Sequence, residues 1–147
     1  MALKLGLAAK LYFKVGGVAA AGAWTELTNV KDVTLSLETG EADVTTRANA
    51  GWKATIGTLK EGSVEFEMMW DSTDAGFTAI KNAFFGNLAI GLAVMDGALA
   101  TAGTQGLQAD FSITQFSREE PLEEAIRVKV QAKVTYSATA PDWVTVA

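Results

Sequence analysis

The 147-residue sequence contains no cysteine, no histidine and only 2 prolines. Without cysteine there are no disulfides, thiolate metal sites or thiol nucleophiles; without histidine the commonest metal ligand and the commonest general base near neutral pH are missing. Most familiar active-site designs are thereby removed. Positive charge is scarce too: 12 Lys and Arg stand against 17 Asp and Glu, a formal net charge of −5, with no basic cluster. Affinity founded on neutralising nucleic-acid phosphates needs concentrated Lys and Arg, so tight nucleic-acid binding is not expected. No window supplies the roughly 20 apolar residues of a membrane-crossing helix. Lys4 and Lys10 flank an apolar run, residues 5–9, that is shorter than the ~7 to 15 residues of a signal-peptide core. A soluble chain made in the cytoplasm, with no membrane partner, is the expectation.

What is present is apolar residues in alternation. With 49% hydrophobic and 20% charged positions the chain is rich enough to bury a core of its own, as one domain over residues 1–147 rather than as a disordered segment. Residues 30–38 place Val33, Leu35 and Leu37 on one face and Asp32, Thr34, Ser36 and Glu38 on the other. Residues 62–70 repeat the pattern with Val64, Phe66, Met68 and Trp70 against Ser63, Glu65, Glu67 and Met69. Between them, residues 39–61 form a polar, glycine-bearing excursion far longer than the roughly 2 to 5 residues of a tight hairpin. Further strands are expected at 10–15, 88–95, 106–116 and 125–136, the last with Ile126, Val128, Val130, Ala132, Val134 and Tyr136 inward. The small-residue stretch 16–23 reads as a loop or as a surface for close backbone packing. Asp74 and its neighbours offer capping oxygens to a helix over about 73–85, in which Phe77, Ile80 and Phe84 recur at helical spacing and Gly86 closes the C-terminus. The fold class is therefore mainly β: a β-sandwich or partly closed barrel with one flanking α-helix and a long inter-strand loop.

The runs Val30-Lys31-Asp32-Val33-Thr34-Leu35-Ser36-Leu37, Glu41-Ala42-Asp43-Val44-Thr45-Thr46-Arg47, Gly51-Trp52-Lys53 and Phe66-Glu67-Met68-Met69-Trp70-Asp71 resemble the tail tube proteins of tailed bacteriophages in order and spacing. Residues 116–125, Tyr136, Pro141 and Trp143-Val144 fit the same family, so the resemblance spans residues 24–144. It implies a virion-tail subunit made in the host cytoplasm that forms hexameric rings stacked around a channel for DNA. It implies also that edge strands are completed by sister molecules, which would remove unpaired sheet margins. Tail terminator, tape measure and tail tip proteins are the further partners the resemblance implies. A tube subunit of a contractile injection system or gene-transfer particle shares that architecture. A carbohydrate-binding module is the reading from another class, and needs Trp24, Trp52, Trp70 and Trp143 to cluster.

Three sets of residues follow as candidates. The excursion supplies Glu41, Asp43, Thr45, Thr46, Arg47, Trp52 and Lys53 as an inter-ring contact, because a tryptophan beside an arginine in a polar loop suits an interface anchor. The connection after residue 116 supplies Arg118, Glu119, Glu120, Glu123 and Glu124 as an inter-subunit contact. Polar strand faces supply a channel lining, with Glu38, Glu65, Glu67 and Asp110 as its acids opposite Arg127, Lys129 and Lys133. A wall that lets a polyanion slide is expected to be net acidic, since each basic contact adds holding energy. Carboxylate pairs for catalysis or metal binding are the weaker reading: without a histidine or cysteine partner, charge pairing across strands is simpler, and neither catalytic residues, metal nor cofactor are expected.

Overall fold

In the computed structural model, which describes residues 3–147, eight strands and one α-helix follow the short turn Gly6–Ala8. The strands are β1 (Lys10–Val15), β2 (Thr25–Glu26), β3 (Val30–Asp43), β4 (Thr55–Met69), β5 (Ala89–Met95), β6 (Gln105–Glu119), β7 (Arg127–Val134) and β8 (Asp142–Thr145); α1 is Ala75–Phe85. Every pairing is antiparallel, in the order β2-β1-β5-β6-β7-β4-β3, and β8 joins the margin of β6 that β7 leaves free. Of the two architectures the alternation left open, this is the partly closed barrel. Leu11 and Phe13 of β1 share one core with Val64 and Met68 of β4, near the opposite margin, which requires the sheet to curl.

The core is the face that the alternation marks. Val64, Phe66, Met68, Leu92, Ala109, Phe111, Val128, Val130 and Ala132 are all buried there. Helix α1 covers it, with Phe77, Ile80 and Ala83 against β5 and β6, Trp70 meeting Phe77 edge-on at 4.6 Å, and Phe84 stacked on Phe116 at 5.8 Å. Burying such side chains contributes about 1.5–3 kcal/mol each, enough to hold an 11-residue helix that would not persist alone. The Asp74 carboxylate accepts the Phe77 amide at 2.9 Å, as a capping residue should. At the other end Asn87, not Gly86, takes the left-handed conformation. β5 is covered on both faces, because Tyr12, Ala93 and Met95 form a second small core behind it.

Three one-residue bulges interrupt the strand registers, one in β6, one in β3 and one in β4, where Thr58 and Leu59 together oppose Gly40. In β6, Thr114 is the extra residue between Ile113 opposite Ala132 and Gln115 opposite Gln131, so both Ile113 and Phe116 reach the core. In β3, Asp32 and Val33 together oppose Phe66, and Asp32 adopts φ +54°. This corrects the expected burial of one face of β3: Leu35 packs on the core and Val33, at the bulge, is exposed, while Leu37 shares the face of Leu35 but is exposed because it lies opposite Gly62, where β4 has run past its pairing with β7. Tyr136 lies beyond the end of β7 and is exposed as well.

A second correction concerns Asp110. It shares the polar sheet face, but it is only 7% exposed: its carboxylate accepts the Val18 amide at 2.6 Å and the Ser137 hydroxyl, while its carbonyl accepts the Thr135 amide at 3.1 Å. Gly17, at φ +105°, passes so close that a Cβ there would sit 2.8 Å from Asp110 Oδ1, so the small-residue stretch is a packing surface. Asp110 therefore ties two connections to the sheet and leaves the set of channel-lining acids. Asp110→Ala is expected to lower stability by about 1–3 kcal/mol through the stranded Val18 amide and Ser137 hydroxyl, measured by urea denaturation, and to open residues 16–18 and 135–139 to limited proteolysis.

Candidate assembly interface

Most of the excursion expected at residues 39–61 is strand. β3 runs to Asp43 and β4 starts at Thr55, so the irregular part is only residues 44–54 and the rest is a two-stranded arm that projects past the sheet. The tip reverses through the turn Arg47–Asn49 and two left-handed residues, Ala50 (φ +53°) and Gly51 (φ +86°). Glu41 lies opposite Gly57 and Asp43 opposite Thr55, on the arm itself. Thr45 and Thr46 start the tip, and Trp52, 78% exposed, stands beside Lys53. Arg47 and Lys53 form no ion pair among the described residues.

Register shows what sequence reading missed. Ala42 opposes Ile56, and Val44 donates its amide to the Ala54 carbonyl at 3.0 Å, so Ala42, Val44, Ala54 and Ile56 lie on one face of the arm, with Trp52 next in the same alternation. Val44 and Ile56 are exposed, the latter by 56%. The opposite face carries Glu41, Asp43 and Thr55. A signal was present in that short alternation, but reading residues 39–61 as loop hid it. A two-stranded ribbon is marginal in water, and this one bares an apolar side, so it needs a covering surface.

The turn after β6 is held from within. Arg127 lies 3.3 Å from Glu67, 3.1 Å from Glu124 and 3.8 Å from Glu119, Lys129 lies 3.1 Å from Glu119, and Arg118 lies 3.1 Å from Glu120 while also covering the Trp70 ring at 4.9 Å. Charge pairing across strands thus accounts for Glu67 and for most of the acidic turn. Glu123 forms no ion pair among the described residues, and Leu122 is 100% exposed beside it. On the polar sheet face, Glu65 and Glu38 form no ion pair among the described residues and face Gln131 and Glu61 respectively. The four tryptophans occupy separate places: Trp24 under Lys14, Trp70 under Arg118, Trp143 bonded to Gln105, and Trp52 at the tip. They form no shared groove.

A model of the phage tail tube protein family matches residues 9–139. The chain belongs to the phage tail tube protein family. Its role is that of the family, a structural subunit of the tail tube. The fold is similar to that of a subunit in the tail of an empty gene transfer agent particle with C6 symmetry, with a TM-score of 0.75 at 16% identity over 97% of this chain and 100% of that one. It is similar also to the SPP1 tail tube subunit (TM-score 0.75, 15% identity, 97% and 80% covered) and to a chain of the anti-feeding prophage baseplate (0.68, 6%, 99% and 98%). At these identities the likeness is one of fold. No curated protein matches the chain at the sequence level.

One charge on this tail tube arm reports on its local order. Asp43 is held below the usual carboxylate range by hydrogen bonds from Thr45, its hydroxyl first and then its amide, the latter at 2.8 Å. A depressed carboxyl stabilises the folded tip above its unfolded value, and that contribution is lost as pH falls through the folded one. Carboxyl-detected NMR titration is expected to show the Asp43 midpoint rising toward the ordinary value in Thr45→Val.

Proposed function

We propose that six copies of this tail tube subunit close into a ring, that rings stack, and that the polar sheet face lines a channel for DNA. The observation that carries this reading is an unfinished sheet. Among the described residues β3 offers a 14-residue margin with no partner strand, and the margin across the opening is β2 and the end of β1. A long free margin invites pairing with another chain, and ring closure satisfies it. Between the two margins of one copy lies a groove of about 770 Å³ in which Leu7, Leu27, Val33 and Leu35 are bordered by Lys10, Glu26, Lys31 and Asp32, a mixed surface that a neighbour would cover.

The arm makes the contact between rings, with Glu41, Asp43, Thr45, Thr46, Arg47, Trp52 and Lys53 and with the apolar row of Val44 and Ile56. The turn with Arg118, Glu119, Glu120, Glu123 and Glu124 is a second contact between copies. Glu38 and Glu65 project into the channel, and Glu67 joins them as the partner of Arg127. Arg127 and Lys129 are already paired with carboxylates, which leaves Lys133 as the one of the three cations on this face with no ion pair among the described residues, so the lining has little free positive charge to hold phosphate, which supports passage without binding. Tail terminator, tape measure and tail tip proteins meet the ends and interior of the tube, and synthesis takes place in the host cytoplasm.

Electron microscopy of the purified chain is expected to show tubes or rings, and compact monomers at every concentration would overturn the reading. Trp52→Ala and Arg47→Ala are expected to leave a folded subunit with an unchanged far-ultraviolet circular dichroism spectrum that polymerises poorly. Normal tubes from both variants would remove the arm from the contact. For the channel, Glu38→Lys with Glu65→Lys is expected to preserve the tube but retain DNA, with retention falling as salt rises; tubes that release DNA as freely as the parent would contradict that lining.

A further inference from the structure

The arm needs a receiving surface, and the opposite end of the same strands presents one. β4 runs from Thr55 at the arm to Met69, and the far end is shared by the last residues of β6, the first of β7 and the turn between them. Fifteen residues at about 3.3 Å each put roughly 50 Å between the arm's root strand and that turn. One copy therefore carries the tip at one end and the turn at the other, the arrangement that head-to-tail stacking uses.

The two ends are also complementary. Residues 44–54 contain Arg47 and Lys53 and no acid, whereas residues 119–124 contain Glu119, Glu120, Glu123 and Glu124 and no base. Of these, Glu119 and Glu124 are committed to Arg127 and Lys129, which fixes the turn's shape and leaves Glu123 and the Arg118-bound Glu120 to face outward. Each end also bares a large apolar side chain, Trp52 at the tip and Leu122 at the turn. An apolar anchor bordered by opposite charges is the usual makeup of a specific contact.

We infer that the tip of one copy seats on the turn between β6 and β7 of a copy in the next ring, Trp52 against Leu122, with Arg47 and Lys53 facing Glu120 and Glu123. This rests on the stacked-ring reading above and adds the partner surface of the arm.

The absence of native cysteine makes the test direct. Lys53→Cys combined with Glu123→Cys in one chain, assembled and then mildly oxidised, is expected to give a ladder of dimers and longer species on non-reducing gels. Each single variant should give none. Thr46→Cys with Glu120→Cys repeats the measurement if the first pair does not assemble. Tubes of either pair without a ladder would overturn the inference while leaving the stacked rings standing. Failure of the unsubstituted chain to form tubes would instead remove the underlying reading, and this contact with it.

Discussion

An unpaired sheet margin is the constraint on which the rest of this structure depends. Seven of the eight strands lie side by side in a curled sheet that stops short of closing, and the strand left at one side, β3, is among the longest in the molecule. Buried backbone groups need partners, and a long margin exposed to solvent is a template for association. The bulge at Asp32 and Val33 kinks the first part of that margin, and a second register shift, where Gly40 opposes both Thr58 and Leu59, divides residues 34–43 into two regular runs. The interior, by contrast, is complete. Phe111, Ile80, Met68 and their neighbours are buried without help from a second chain, so the subunit holds its fold while its margin, arm and turn stay available for assembly.

The same division explains the charge pattern. Carboxylates and cations on the polar face are arranged in rows, Glu65 and Glu67 on β4 beside Lys129 and Lys133 on β7. Where a cation comes near, it is taken up locally, as Arg127 is by Glu67, Glu119 and Glu124. Surface ion pairs of this kind contribute little stability individually. Their consequence is that the turn is tied together and that Arg127 and Lys129 are taken up, which leaves Lys133 as the cation of these rows with no ion pair among the described residues.

Much of the fold was legible from residues because a buried face imposes its period on the chain. Val64, Phe66 and Met68, then Val128, Val130 and Ala132, announce strands by alternation, and Asp74 with Phe77, Ile80 and Ala83 announces the helix. What escaped were features with no periodic signature. A single extra residue, Thr114 in β6 or the Asp32–Val33 pair in β3, reverses the alternation without changing composition. Asp110 reads as one more outward polar residue until the connections around Gly17 and Ser137 close over it. The arm was hidden for the converse reason: with no core of its own subunit to pack on, its strands carry glycines and polar residues typical of loops, and the apolar row of Val44, Trp52 and Ile56 stays exposed.

The account's central claim is that β3 and the arm are finished by sister copies. Amide hydrogen exchange on residues 34–43, compared between unassembled subunits and tubes, tests it most directly. Outward-facing amides of β3 are predicted to exchange at least about a hundredfold more slowly in the tube, as expected of backbone newly hydrogen-bonded and shielded from water. Equal exchange in the two states, with protection gained only elsewhere in the chain, would contradict it.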